Sequence, residues 1–145
     1  MKAAVIKELI KSLADSAYEV EKVCLKQGWS AREIAMMTEK EDAVYLTAVR
    51  DSFVIGIAGM YIVAGEGQIM NIAVLPEYRR AGIGGMLLRA LIEEGKKRGA
   101  VSFMLEVDSE NTSAKRLYES LGFRETGSRK GLRDGDSALI MVLKA

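Results

Sequence analysis

The stretch Gln68-Ile69-Met70-Asn71-Ile72-Ala73-Val74-Leu75-Pro76-Glu77-Tyr78-Arg79-Arg80-Ala81-Gly82-Ile83-Gly84-Gly85 decides the fold. Residues 68–75 read as a strand, and Pro76 stops it because proline has no N–H for a ladder. Beyond Gly82 the apolar spacing becomes helical: Ile83, Met86, Leu87, Ala90, Leu91 and Glu94 fall on successive turns, and Gly99 closes the element after Arg98. A strand passing through a glycine turn into a helix leaves unpaired N–H groups at the helix start, with little side-chain bulk to hold a ligand away. That is an anion site, and Arg79 and Arg80 beside it carry charge suited to phosphate oxygens. The same residues also make a glycine-eased turn with solvated arginines. A dinucleotide fingerprint would need glycine where Leu87 stands, and a P-loop would need Gly-Lys-Ser/Thr after four spacers. Neither is present.

Working outward, residues 53–64 form a β-branched run, and Gly65-Glu66-Gly67 turns it into the strand of residues 68–75. Asp51-Ser52 turns residues 43–50 into the same run. Ser30 caps a short helix reaching Thr38. Residues 3–27 support either one helical stripe (Val5, Ile6, Leu9, Ile10, Leu13) or a short strand near 4–9 with a helix from about Ala14. Downstream come a strand at 101–107, a helix at 112–121 closed by Gly122, and a last strand at 137–143. Strands first and then β-α-β-α-β predict one α/β or α+β domain with a mixed sheet over residues 1–145.

Composition removes whole classes of chemistry. The 145 residues are 49% hydrophobic and carry 21 basic against 20 acidic side chains, which excludes global disorder. A net charge of +1 lacks the bulk signature of a nonspecific nucleic-acid binder. No nucleic-acid partner is expected, although Arg79, Arg80, Lys96, Lys97 and Arg98 are the residues such a role would use. With no histidine there is no Ser-His-Asp or Cys-His system and no His-ligated metal, so no metal is expected. Cys24 is alone, so no internal disulfide forms, and its helical surroundings predict core packing. The longest apolar run, residues 53–65, contains three glycines and is too short to cross a bilayer as a helix. A cytoplasmic protein without a membrane partner is the expectation.

Two motifs then match something known. Arg79-x-x-Gly82-x-Gly84 resembles the acyl-CoA pyrophosphate loop of the GNAT acetyltransferase superfamily. Asn111-x-x-Ala114-x-x-Leu117-Tyr118-Glu119-x-Leu121-Gly122-Phe123 resembles that superfamily's closing helix and strand. Asn71-Ile72-Ala73-Val74, Leu105-Glu106-Val107, Leu117–Phe123 and Trp29-Ser30 are similar to the bacterial ribosomal-protein alanine N-acetyltransferases. The resemblance implies a mixed, mostly antiparallel sheet with helices on both faces. It also implies acetyl-CoA as co-substrate, and as acceptor a protein N-terminus (ribosomal proteins included), a lysine side chain or a small amine. Pantetheine is placed along the backbone of Ile72, Ala73 and Val74, and the pyrophosphate on the amides of Arg80, Ala81, Gly82, Ile83, Gly84 and Gly85, with Arg79 beside them. Asn111 and Tyr118 are also placed at the cofactor. Glu106 becomes the base and Tyr118 the general acid, with no covalent acyl-enzyme. A monomer or homodimer is expected, and a CoA-binding domain without turnover is the competing class.

The residues allow plainer roles too. Asn111 is placed as a helix N-cap, Glu106 as a solvated strand end and Tyr118 as a core ring beside Ala114, Leu117 and Leu121. The resemblance weakens at Asp108, where that family has arginine. It weakens again at residues 128–136, where the connection between the last two strands has no aromatic. Arg129, Lys130 and Arg133 there are candidates for an acidic or ribosomal contact, or for a solvated loop.

Overall fold

The computed structural model describes residues 3–26, 28–130 and 137–145. Chain order is β1 (Val5–Glu8), a 3₁₀ turn, α1 (Ala14–Cys24), α2 (Ala31–Met37), β2 (Ala43–Arg50), β3 (Phe53–Val63) and β4 (Glu66–Val74). A second 3₁₀ turn at Pro76–Tyr78 follows, then α3 (Ile83–Lys97), β5 (Ser102–Asp108), α4 (Thr112–Ser120), β6 (Arg124–Lys130) and β7 (Ser137–Lys144). The strand-then-helix reading of the first segment is therefore the one adopted. Residues 128–130, read as connection, are the end of β6, with Lys130 opposite Ser137. Arg133 and the rest of 131–136 lie outside the described residues, as do the side chains of Arg129 and Lys130.

Seven strands form one sheet in the order β1-β2-β3-β4-β5-β7-β6. Every pairing is antiparallel except β4 with β5, as a mixed, mostly antiparallel sheet requires. That parallel pairing is short: Glu66↔Ser102, Gly67↔Phe103 and Gln68↔Met104. Beyond Gln68 the two strands part. A β-bulge supplies the cause, since the β3–β4 register slips between Gly59↔Asn71 and Met60↔Ile69, leaving Met70 extra. A bulged strand bends and twists more than a regular one. Because the slip sits immediately after the last β4–β5 pair, it turns β4 away from β5.

Helices cover both faces. On one, Ile83, Leu87, Leu88, Leu91 and Ile92 of α3 pack over β2, β3 and β4 in a core with Val44, Leu46, Ile55 and Ala58, which Phe103, Leu105 and Val107 of β5 continue, with Phe123 and Tyr118 alongside. The buried stripe is rotated from the expected one: Leu88 and Ile92 are inside, whereas Met86 is 41% exposed. Gly95 lets α3 approach closely, since a Cβ there would stand 2.5 Å from Phe103 Cε1. On the other face, Ala17 and Val20 of α1 and Ile34 of α2 pack on Tyr45, Ile57 and Ala73. Val101 precedes β5 and is exposed, so the inward set there is Phe103, Leu105 and Val107 only.

Of the basic residues before Gly99, Arg98 is tied down. Arg98 is held by Glu94 at 3.1 Å, by Glu8 at 2.7 Å and by the Ala43 carbonyl at 2.9 Å, and Lys96 stands 3.9 Å from Glu93. Among the described residues no helix is long and apolar enough to cross a membrane.

Candidate active site

The turn before α3 has the geometry its glycines require. Arg80 has φ +67° and Gly82 φ +78°, left-handed values that turn successive amides toward one side. The first intrahelical bond runs from Met86 N–H to Gly82 O at 3.1 Å, so the amides of Ile83, Gly84 and Gly85 have no partner within the helix. Gly82, the N-cap residue, offers no side chain to occupy them. The positive end of a 15-residue helix thus opens onto solvent. Arg79 and Arg80 are exposed and make no ion pair among the described residues. Arg79 Nε also donates to Val74 O at 3.0 Å, which fixes the turn to the strand end.

A cleft of about 720 Å³ starts at this turn and runs between β4 and α4. Its walls include Ile72, Ala73, Val74, Arg79, Arg80, Gly82, Ile83, Gly84, Gly85, Asn111 and Tyr118, which is every predicted cofactor residue except Ala81. The backbone of β4 divides by register. Leu75 N–H bonds to Ile55 O at 2.9 Å, and the constant pairing Ala73↔Ile57 keeps the polar groups of alternate residues on β3. The N–H and C=O of Ile72 and Val74 therefore face the open side where β5 has departed. Ala73 was expected to offer its backbone as well, but its polar groups belong to the β3 ladder and it contributes wall instead.

Asn111 combines two positions. Its Oδ1 accepts from Ala114 N–H at 3.2 Å as the N-cap of α4, while the residue lines the cleft. The Tyr118 ring lies 6.0 Å from that of Phe123 and borders the core, yet the residue also lines the cleft. Burial pushes its phenol above the ordinary tyrosine range, which favours the protonated form. Capping and core packing thus leave both residues on the cleft wall.

Two sequence readings fare differently. Glu106 is exposed on β5 opposite Ile140, two residues past the last pair with β4, or roughly 6.6 Å along the strand. It is not among the cleft walls, because its side chain alternates away from Phe103, Leu105 and Val107 to the α1–α2 face. Glu106 thus stands across the gap between β4 and β5 from the α3 and α4 walls of the cleft, on the face that also carries Cys24 and Leu25. Cys24, expected to pack in the core, is half-buried against the α1–α2 core and also stands on the cleft wall, with Sγ–H donating to Val74 O at 3.5 Å. Distance along the chain misled there, because α1 packs on β4. Leu25, Tyr78, Ser113, Ala114 and Leu117 complete the wall. The spacing of Ala114, Leu117 and Tyr118 on one helix face is the signal that marks the α4 contribution.

Residues 9–123 match the family described as acetyltransferase (GNAT) family, and the chain belongs to it. It is therefore an N-acetyltransferase of a family that uses acetyl-CoA. It is 36% identical over 132 residues to the ribosomal protein bS18-alanine N-acetyltransferase of Escherichia coli K12, covering 88% of each chain. The solved structure of the Escherichia coli ribosomal-protein-S18-alanine N-acetyltransferase superimposes with a TM-score of 0.85 at 32% identity, covering 97% of this chain and 93% of that one. The fold alone is shared with the PaiA N-acetyltransferase from Thermoplasma acidophilum, solved with coenzyme A (TM-score 0.82, 22% identity, covering 99% of this chain and all of the other). Among the described residues no group of three or more Cys, Asp or Glu is placed to hold a metal.

Proposed function

We propose that the chain transfers the acetyl group of acetyl-CoA to the N-terminal amine of a protein, in a ternary complex and without an acyl-enzyme. The observation that carries this is the parted β4–β5 edge, with the glycine turn at one end of the cleft and Glu106 across the gap. Diphosphate oxygens dock on the amides of residues 80–85, and pantetheine follows the free edge of Ile72 and Val74. The thioester enters the gap. Val74 N–H stabilises the charge developing on the thioester oxygen, its C=O being engaged by Arg79 and Cys24.

The amine approaches from the α1–α2 face. α-Amino groups have a pKa near 8, so at pH 7 most are protonated, and Glu106, directly or through a water, accepts the proton that attack releases. The new C–N bond forms as the carbonyl pair moves to the thioester oxygen, the C–S bond breaks when that intermediate collapses, and Tyr118 protonates the departing thiolate. From reference values that last transfer is uphill by about 2 kcal/mol, and burial of Tyr118 raises the figure, so it is coupled to collapse of the intermediate.

Thiol release with acetyl-CoA tests this against peptides beginning with Ala, Ser or Gly, with polyamines and free amino acids alongside. An alanine-initiated peptide is expected to be preferred, as the names of the bS18-modifying relatives suggest. Asp108, on the same strand face as Glu106, favours a second reading in which a polyamine is the acceptor. Acetyl-CoA is expected to raise Tm in a concentration-dependent way, and no shift at about millimolar cofactor would remove the cofactor claim. Cys24→Ala is expected to keep kcat within about threefold, because no base stands ready to activate the thiol. Loss of turnover in that variant, with ping-pong kinetics in the parent, would reverse the no-acyl-enzyme reading.

A further inference from the structure

We propose that Glu21 is a positioning residue that holds the α1–α2 connection against β4 as the acceptor-side wall of the cleft. This rests on the reading of the cleft as an acetyl-transfer site.

Glu21 is a fully buried charged side chain on the face that also carries Glu106. Its Oε1 accepts from Trp29 N–H at 2.8 Å and from the Asn71 amide, and its Oε2 accepts from the Tyr45 hydroxyl at 2.6 Å. The three donors come from three different segments: the α1–α2 connection, β2 and β4. An acceptor-only carboxylate suits three converging donors, whereas an apolar side chain would leave all of them unpaired.

Each segment leads to the cleft. Cys24 and Leu25, one turn beyond Glu21, form part of its wall, and Ile72 follows Asn71 directly. Trp29 is keyed in by packing: a Cβ at Gly59 would stand 2.7 Å from its ring, and the rings of Tyr45 and Tyr61 lie 6.0 and 5.9 Å away. Gly28 passes over Glu21 so closely that a Cβ there would stand 2.9 Å from Glu21 Cβ. Burial pushes the Glu21 carboxyl above the ordinary range, so the charge is costly where it sits. The three hydrogen bonds that offset this cost fix three segments at the edge of the gap. Among the described residues the pyrophosphate end meets these segments only beyond the network, where Arg79 reaches Cys24 Sγ at 3.8 Å and Val74 O at 3.0 Å, and it has no hydrogen bond to Glu21, Trp29, Tyr45 or Asn71.

The test uses steady-state kinetics with acetyl-CoA and an alanine-initiated peptide, together with acrylamide quenching of Trp29, the sole tryptophan. Glu21→Leu is expected to lower kcat/KM for the peptide about tenfold or more, while KM for acetyl-CoA stays within about threefold. Trp29 quenching rises in that variant. Glu21→Gln, which keeps an acceptor for Trp29 and Asn71, brings both readouts back toward the parent. If Glu21→Leu does not fold, Tyr45→Phe removes one donor without losing the ring, and a smaller change in the same direction is expected. The proposal is overturned by a folded Glu21→Leu protein with parental quenching and parental peptide kinetics. It is equally overturned by acetyl-CoA and peptide constants rising together. A parent protein that releases no thiol with any amine sinks the transfer reading instead, and Trp29 quenching then still decides whether Glu21 holds the connection.

Discussion

Glu106→Gln is expected to lower kcat by about 10²–10³ below pH 8 while changing the affinity for acetyl-CoA by less than about twofold. The amide keeps the size of the side chain and loses its capacity to accept a proton. The pH dependence follows from the acceptor. Below about pH 8 an α-amino group is mostly protonated and attack must shed a proton, whereas above that value more of it arrives neutral. The deficit should therefore shrink as pH rises. Tyr118 sets the other limit: burial raises its pKa, so its acid form persists to higher pH than that of an ordinary tyrosine. Because Glu106 stands outside the cofactor cleft, cofactor affinity and turnover separate in this variant. Equal turnover in the two proteins would acquit Glu106.

Gly84→Val acts on the opposite half of the reaction. A Cβ at Gly84 would meet Leu117 Cδ2 at 3.8 Å and Val74 Cγ2 at 3.9 Å, which are ordinary contacts, and its φ is not left-handed. The fold accommodates the substitution, and valine has the higher helix propensity, so Tm without cofactor should hold or rise slightly. The added methyl groups nevertheless stand between Val74 of β4 and Leu117 of α4, where the proposed diphosphate site lies. The affinity for acetyl-CoA is expected to fall at least about tenfold, or 1.4 kcal/mol, and the cofactor-induced rise in Tm to diminish with it. Unaltered affinity would place the loop outside the binding site.

Local chemistry made most of the fold legible. Pro76, the glycines at 82, 84 and 85, and the change of apolar period marked strand, turn and helix before any tertiary contact was known. The gap between β4 and β5 was not legible, because it comes from one unpaired residue. Strict alternation would put Ile69 and Asn71 on one face, yet Ile69 joins the α3 core while Asn71 turns to Glu21 on the other side. That phase break is visible in the sequence only once the register is known. The rotation of the α3 stripe past Met86 was hidden for a similar reason, since Leu88 and Ile92 fit the same periodicity.

The site divides along the same line. Arg79, Arg80, the stretch from Gly82 to Gly85, Asn111 and Tyr118, which line the cleft, were legible because motifs are contiguous and the chemistry of helix N-termini is local. Cys24, Leu25 and Glu21 were missed because they reach the site through the packing of α1 on β4, some fifty positions away in the chain. A buried glutamate within a helix of mixed polarity has no distinguishing sequence pattern. Only its three donors reveal it.

The account is tested most directly by solving the protein with coenzyme A bound. It predicts the diphosphate within hydrogen-bonding distance of the amides of Ile83, Gly84 and Gly85, pantetheine against the edge of Ile72 and Val74, and sulfur in the gap facing Tyr118. Coenzyme seated on another face of the sheet, or diphosphate oxygens held away from the α3 N-terminus, would contradict it.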